Sequence, residues 1–430
     1  AEILPLTPAQ KGLFFHYLND PQASLYIEQV ELVLSGALDI ELLAVACREL
    51  IADHEALRSI FRWKGIKEAV QVILKEVESS IEVSDFSIYD VTVQREHIRF
   101  FKQNDANQQF DLEALPYRFH VIKCTDVEHR FIFTFHHILL DGWSLGIILR
   151  EILDRYEHLL NERGYSSRNK PNAKHFHQHI KRHSSDIGVS AWQPYLQGVE
   201  AKFLASKSAP NIPLYKDISY TQSLILPKRK IHTFIAEQKI TFSSLFNAVW
   251  GMLLSKYLST EDVVFGVVSA NRTYDLSGID HFVGMLAETL PFRVSIDGEQ
   301  SVTAFLSQVR NQQDQWEQLI SSPNNKFSPQ VALGGGEELF NSIIAFENYP
   351  LDTELLQGGG QLRVNSFAHH GQTHYDATIT IETIEDIKLK MNIRPNIGDA
   401  FQATKMLGHF HRILQQFISN PQQQLKEIDM

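Results

Sequence analysis

EHRFIFTFHHILLDGWSLGIILREILDRYEHLL, residues 128–160, changes its period part-way through. From Glu128 to His137 the period is two. Phe131, Phe133, Phe135 and His137 fall on one face and Ile132, Thr134 and His136 on the other, the pattern of a strand. Beyond Asp141-Gly142, Leu145, Ile148, Leu149, Ile152, Tyr156 and Leu159 recur at helical spacing, which predicts an amphipathic helix closed by Gly164. A strand that turns directly into a helix is a rigid mount for a side chain at the corner. The two histidines at that corner point to opposite faces. Gly142 permits a turn that a side chain would obstruct, and Asp141 can fix the loop by accepting hydrogen bonds or pairing with an arginine. Imidazoles as a class titrate near neutral pH and can take a proton from an attacking amine or hydroxyl. A histidine pair alone says little, since His369-His370 occurs in the same chain without comparable context.

Working outward, the 430 residues exceed one ordinary hydrophobic core and predict two lobes. The polar stretch 161–172 is the natural boundary, giving lobes over 1–170 and 171–430. Thr7-Pro8-Ala9-Gln10 combines a capping box with proline at the first helical position, and predicts a helix to about Leu18. A strand follows over 26–34, then a helix capped by Asp39 with Leu42, Leu43, Ala46, Cys47 and Leu50 on one face. Helices are expected over 241–258, 302–320 and 400–418, and strands over 262–268, 341–347 and 375–383. The fold class is therefore mixed α/β.

Composition excludes several classes. Hydrophobic residues are 43% and charged residues 21%, a globular balance. The net charge of -11 offers nothing to a nucleic-acid backbone or an anionic membrane. No apolar run approaches the roughly 18 residues of a membrane span. Cys47 and Cys124 are too few and too far apart for a disulfide framework or a zinc site, which fits a reducing cytoplasm. The start at Ala1, without Met or signal peptide, suggests a domain of a longer polypeptide. Gly334-Gly335-Gly336 and Gly358-Gly359-Gly360 read as loops, not phosphate cradles. His175, His177 and His179 have no acidic or cysteine companion and read as a solvated helix face rather than metal ligands.

FHHILLDGWS resembles the HHxxxDG signature of the condensation-domain superfamily of non-ribosomal peptide synthetases, which includes chloramphenicol acetyltransferase. Other segments fall in that family's order over most of the chain: LTPAQKGLFFHYL, DHEALRSIF, DVVFGVVSANR, HFVGMLAETLPFRV, LFNSIIAFENYP and the stretch around GQTHYDAT. The resemblance implies two chloramphenicol-acetyltransferase-like lobes forming a V-shaped pseudo-dimer with a central tunnel. It implies amide formation between a carrier-bound donor thioester and the α-amine of a carrier-bound acceptor, both on phosphopantetheine arms, with no intrinsic cofactor and no metal.

His137 is implied as the catalytic residue, as general base or as a group that orients the amine. His136, Asp141, Gly142, Arg58 and Arg272 are implied as supports, with Asp141 paired to Arg272. Trp143, Ser144, Glu288, Thr289 and Tyr375 are candidates to line the tunnel or meet substrate. For Ser144 a helix cap fits better than an acyl-bearing nucleophile, because no nucleophile elbow surrounds it. The implied partners are the upstream donor and downstream acceptor peptidyl carrier proteins, an adjacent adenylation domain and an upstream epimerisation domain. The last follows from LTPAQKGLFFH and HHILLDGWS, which look like the subclass taking a D-configured donor. Glu288 departs from the family's Asn and puts acceptor-side contacts in doubt, and the family's downstream tunnel motif is hard to find over 321–331. Trp143-Ser144-Leu145-Gly146 disfavours an epimerase, and the paired histidines disfavour a heterocyclisation domain. An acyltransferase using a free amine or alcohol, or a non-catalytic recruitment platform, are the alternatives.

Overall fold

In the computed structural model, residues 1–20, 24–183, 189–204, 220–272, 276–321, 338–347, 362–383 and 386–430 are described. Both glycine triplets and most of 321–331 lie outside them. The chain divides into two compact units: Ala1–His179 with Asp275–Ala287 and Tyr349–His374, and Ile180–Tyr274 with Glu288–Asn348 and Tyr375–Met430. A contiguous division at residue 170 does not contain the two later segments of the first unit.

The first unit opens with strand β1 (Glu2–Pro5) and helix α1 (Pro8–Asn19), whose start carries the full capping box of Thr7 and Gln10. Strand β2 (Ile27–Ser35) and helix α2 (Ile40–Asp53) follow, with Asp39 capping the helix through the Leu42 N–H. Next come β3 (Ser59–Arg62), β4 (Val70–Ile73), β5 (Ile81–Asp85), α3 (Val91–Asn107), β6 (Tyr117–Lys123) and β7 (Glu128–His136). Helix α4 spans Gly142–Leu160. It ends at Leu160 with the Asn161 N–H returned to Glu157, and Glu162, not Gly164, takes the left-handed conformation, so the expected glycine stop is replaced by a polar one.

Helices α5 (Ala173–His183), α6 (Val189–Leu196), α7 (Lys228–Gln238) and α8 (Phe242–Leu258) lead into the second unit with strand β8 (Tyr220–Leu226). There β9 (Asp262–Ser269), β10 (Glu288–Ser295), α9 (Val302–Ser321) and β11 (Ser342–Glu347) follow. Strand β12 (Arg363–His370) returns to the first unit, and β13 (Ala377–Glu382), β14 (Ile387–Ile393) and α10 (Ala400–Ser419) complete the second. The chain thus forms a five-stranded sheet, β12-β2-β7-β6-β5, and a three-stranded sheet, β1-β4-β3, in the first unit, and a six-stranded sheet, β10-β9-β11-β13-β14-β8, in the second.

The period-two pattern of β7 packs as expected: Phe133 stacks between Phe119 and Phe135 at 4.7 and 4.8 Å. Each such ring, once fully buried, contributes about 1.5–3 kcal/mol. On the other face Ile132 joins Ile98, Ile122 and Cys124 beneath α3. Burial pushes the Cys47 thiol up to about 12, so this cysteine behaves as a small hydrophobe. In the second unit α8 and α10 bring Phe246, Trp250 and Phe410 together in the core of the six-stranded sheet.

Candidate active site

Strand β7 delivers His136 as its last residue, and the chain turns through 137–141 before α4 begins. Asp141 makes that turn rigid. It is the N-cap of α4: Oδ1 accepts the Ser144 N–H at 2.9 Å. Its Oδ2 accepts the N–H groups of Leu286 and Ala287 at 3.0 and 3.1 Å, tying the corner to a distant segment of the same unit. Gly142 enters as the first helical residue. Ser144, expected as the cap, is instead the third residue of the helix, and its buried hydroxyl donates to the Gly284 carbonyl at 2.9 Å and accepts the Gly284 N–H at 3.1 Å. Asp141 takes the cap because its carboxylate precedes the helix by the one residue that capping geometry requires. A hydroxyl with both functions committed is not poised as a nucleophile.

The two histidines have different surroundings, and only His136 lies within β7, His137 being the first residue of the turn. His136 is buried, and its Nδ1 accepts the Ile138 N–H at 3.1 Å. Burial, reinforced by the neighbouring His137 charge, lowers its pKa to about 3, so it stays neutral and braces the turn. His137 is partly buried, and its backbone N–H donates to the Tyr26 carbonyl at 2.7 Å. Its Nδ1 lies 2.9 Å from the Leu140 carbonyl oxygen. A carbonyl can only accept, so in the neutral ring Nδ1 carries the proton and Nε2 holds the lone pair. The corner therefore fixes which nitrogen is the base.

Sequence reasoning missed the wall of this site. Tyr26 has φ of 64°, a left-handed backbone that a bulky side chain adopts at a cost of order 1–3 kcal/mol. That conformation turns its carbonyl to His137 and lays its ring against the imidazole, centroids 6.3 Å apart at 27°. The Tyr26 hydroxyl is hydrogen-bonded to His374 Nδ1, and His374 stacks on His16 at 3.9 Å. Glu28, two residues along β2, is bonded through Oε2 to His369 Nε2 at 2.7 Å. His369 thus has the context that its sequence alone lacked.

The remaining candidates have separate placements. Arg58 reaches the carbonyls of Ile51, Leu74 and Lys75, which joins the end of α2 to the end of β4. Trp143 Nε1 donates to the Asp280 carbonyl at 3.0 Å. Glu288 and Thr289 open β10, opposite Ser269 and Val268 of β9. Tyr375 stacks on Phe340 at 5.9 Å; burial pushes its hydroxyl up to about 12 against the opposing hydrogen bond from Thr289, so Thr289 and Tyr375 do meet. Arg272 follows β9 in the second unit. Among the described residues no group of three or more His, Cys, Asp or Glu side chains is arranged to hold a metal ion, and no helix is long and apolar enough to cross a membrane.

The family model described as "Condensation domain" matches residues 1–430. The chain belongs to the condensation-domain family. Over 437 residues this condensation domain is 27% identical to tyrocidine synthase 2 of Brevibacillus parabrevis, a match spanning 100% of the chain and 12% of the relative. Bacitracin synthase 1 of Bacillus licheniformis is 30% identical over 444 residues, covering 100% of the chain and 8% of that protein. The domain therefore spans a small fraction of the curated relatives it matches. Its fold is that of solved condensation domains. The first condensation domain of the calcium-dependent antibiotic synthetase, in complex with a substrate analogue, matches with a TM-score of 0.82 at 16% identity over 100% of both chains. The starter condensation domain of rhizomide synthetase matches with a TM-score of 0.84 at 17% identity, covering 99% of this chain and 97% of that one.

Proposed function

We propose that this domain forms an amide bond between a donor acyl or peptidyl thioester on one carrier protein and the α-amine of an aminoacyl thioester on another. The observation that carries the reading is the Nδ1 contact of His137 with the Leu140 carbonyl, which leaves Nε2 as the lone-pair nitrogen of a partly buried imidazole. In this reading the acceptor nitrogen attacks the donor carbonyl carbon. An N–C bond forms, the amine proton passes to His137 Nε2, and collapse of the tetrahedral intermediate breaks the C–S bond. The proton then leaves with the thiolate of the donor phosphopantetheine arm, which restores the neutral ring. Thioesters are already activated, so holding amine and carbonyl at attack distance supplies much of the barrier reduction, and His137 serves as base and as amine anchor.

The supporting roles are assigned by the same reading. His136 and Asp141 hold the corner, Asp141 through its three backbone donors. Arg58 braces the end of α2 against the end of β4, and substrate contact is the role this reading gives to Trp143 in the first unit and to Glu288, Thr289 and Tyr375 in the second. Donor and acceptor carrier proteins and an adjacent adenylation domain are the partners. A D-configured donor, with an epimerisation domain upstream, is the subclass we assign from LTPAQKGLFFH and HHILLDGWS. Synthetic donor and acceptor carriers, resolved by intact mass, test the whole reading. Product is expected on the acceptor carrier with the wild-type domain and not with His137→Ala. Equal turnover of L- and D-terminated donors would remove the subclass assignment.

A further inference from the structure

Alternate residues of a strand share a face, so Glu28 and Val30 of β2 lie together. His137 stands opposite Tyr26, since Ile27 pairs with His136 and the His137 N–H bonds to Tyr26. Glu28 pairs with Phe135, two residues before His137, so in register it is diagonal to His137, and the His137 charge acts on its carboxylate. From the other side β12 brings His369 opposite Val30, and His369 Nε2 reaches the Glu28 carboxylate at 2.7 Å. The backbone has been shaped to admit that carboxylate: a Cβ on Gly371 would collide with Glu28 Oε2. Burial works against the charge of Glu28, but the His369 hydrogen bond and the charges of His137, His369 and His370 outweigh it and hold the carboxyl below its ordinary range. The other titratable groups around it are the Tyr26 hydroxyl with His374 and His16, and His136 on the far face.

We propose that Glu28 is a positioning residue whose buried carboxylate is the counter-charge for the imidazolium that His137 becomes when Nε2 takes the amine proton. This rests on the assignment of His137 above. Asp141, the carboxylate nearest in sequence, serves the helix cap and the 286–287 backbone. Glu28 touches no reacting atom in this scheme. It acts through His137, oriented by His369 and seated against Gly371.

The test is the pH dependence of peptide transfer between synthetic carriers, with the 430-residue domain and its variants. An opposite charge within about 4–6 Å moves a titration by about 1–3 units. A diagonal strand neighbour lies at about 7–8 Å. Glu28→Gln is thus expected to move the acidic limb of the kcat profile down by roughly half to one unit. It should lower kcat about tenfold, with less than about a twofold change in the KM of the acceptor. Glu28→Asp keeps the charge and should restore most of the rate. Gly371→Ala, which displaces the carboxylate without removing it, should move the same limb in the same direction. A folded Glu28→Gln with the wild-type rate and limb, beside an inactive His137→Ala, overturns the proposal and leaves the role of His137 standing. Near-normal turnover by His137→Ala overturns both. Should Glu28→Gln not fold, an unmoved limb in Gly371→Ala overturns the proposal by itself.

Discussion

Replacing His136 by Asn tests the claim that this histidine is held neutral inside the turn. Asn Oδ1 can accept the Ile138 N–H where Nδ1 does now, so the brace survives while the titrating group is lost. The native ring is protonated only near pH 3, against 6.5 for an ordinary histidine. Between those values the unfolded chain binds a proton that the native state refuses. The unfolded state is therefore favoured as pH falls, at about 1.4 kcal/mol per pH unit once the window is fully entered. Integrated from about pH 7.5 to about pH 5.0, the wild type should lose about 2 kcal/mol that His136→Asn does not. In a cooperative unit of roughly 200 residues that difference is about 4–8 °C in melting temperature. Thermal unfolding of both proteins across that range is the assay. The other histidines lowered by burial, His54 and His129 among them, are common to both and cancel. Parallel stability curves would refute the argument, and with it the neutral, bracing role of His136.

His137→Ala should abolish peptide transfer with no more than a few degrees' change in melting, measured by product mass and thermal unfolding. Asp141→Asn turns an amide N–H toward the Leu286 and Ala287 donors; it should cost about 1–3 kcal/mol, read by denaturant unfolding, and an unchanged midpoint would contradict the anchoring described. Ser144→Ala strips both hydrogen bonds to Gly284 and should destabilise by about 1–3 kcal/mol while peptide transfer continues. Complete loss of activity in folded Ser144→Ala would point instead to a chemical role.

Where one local signal suffices, the sequence can be read directly. The α4 stripe, the Thr7 capping box and the alternation of β7 each depend on residues a few positions apart, and each stands where periodicity puts it. The cap is a different case: Asp141 and Ser144 are both good capping residues, and only backbone geometry decides between them in favour of Asp141. Strand β12 is hidden for another reason. RVNSFAHH has little apolar alternation, as an edge strand has neighbours on one side only, and its partner β2 lies more than 300 residues earlier. Glu28, Tyr26 and His374 belong to the site through that same pairing. A tyrosine that must adopt a left-handed backbone leaves no mark in sequence, since glycine or asparagine is the usual sign of such a position.

The return of β12 to the first unit has a practical consequence for chimeras. Exchanging the first 170 residues with those of another synthetase would import β2 and the HHILLDG corner but keep a foreign β12 and a foreign 284–287 segment. The hybrid sheet would then meet an edge strand selected against a different neighbour, and Asp141 would meet different backbone donors. Grafts that carry Asp275–Ala287 and Tyr349–His374 together with the N-terminal piece keep those matched surfaces intact, and these are the crossover points that recombination of this domain should respect.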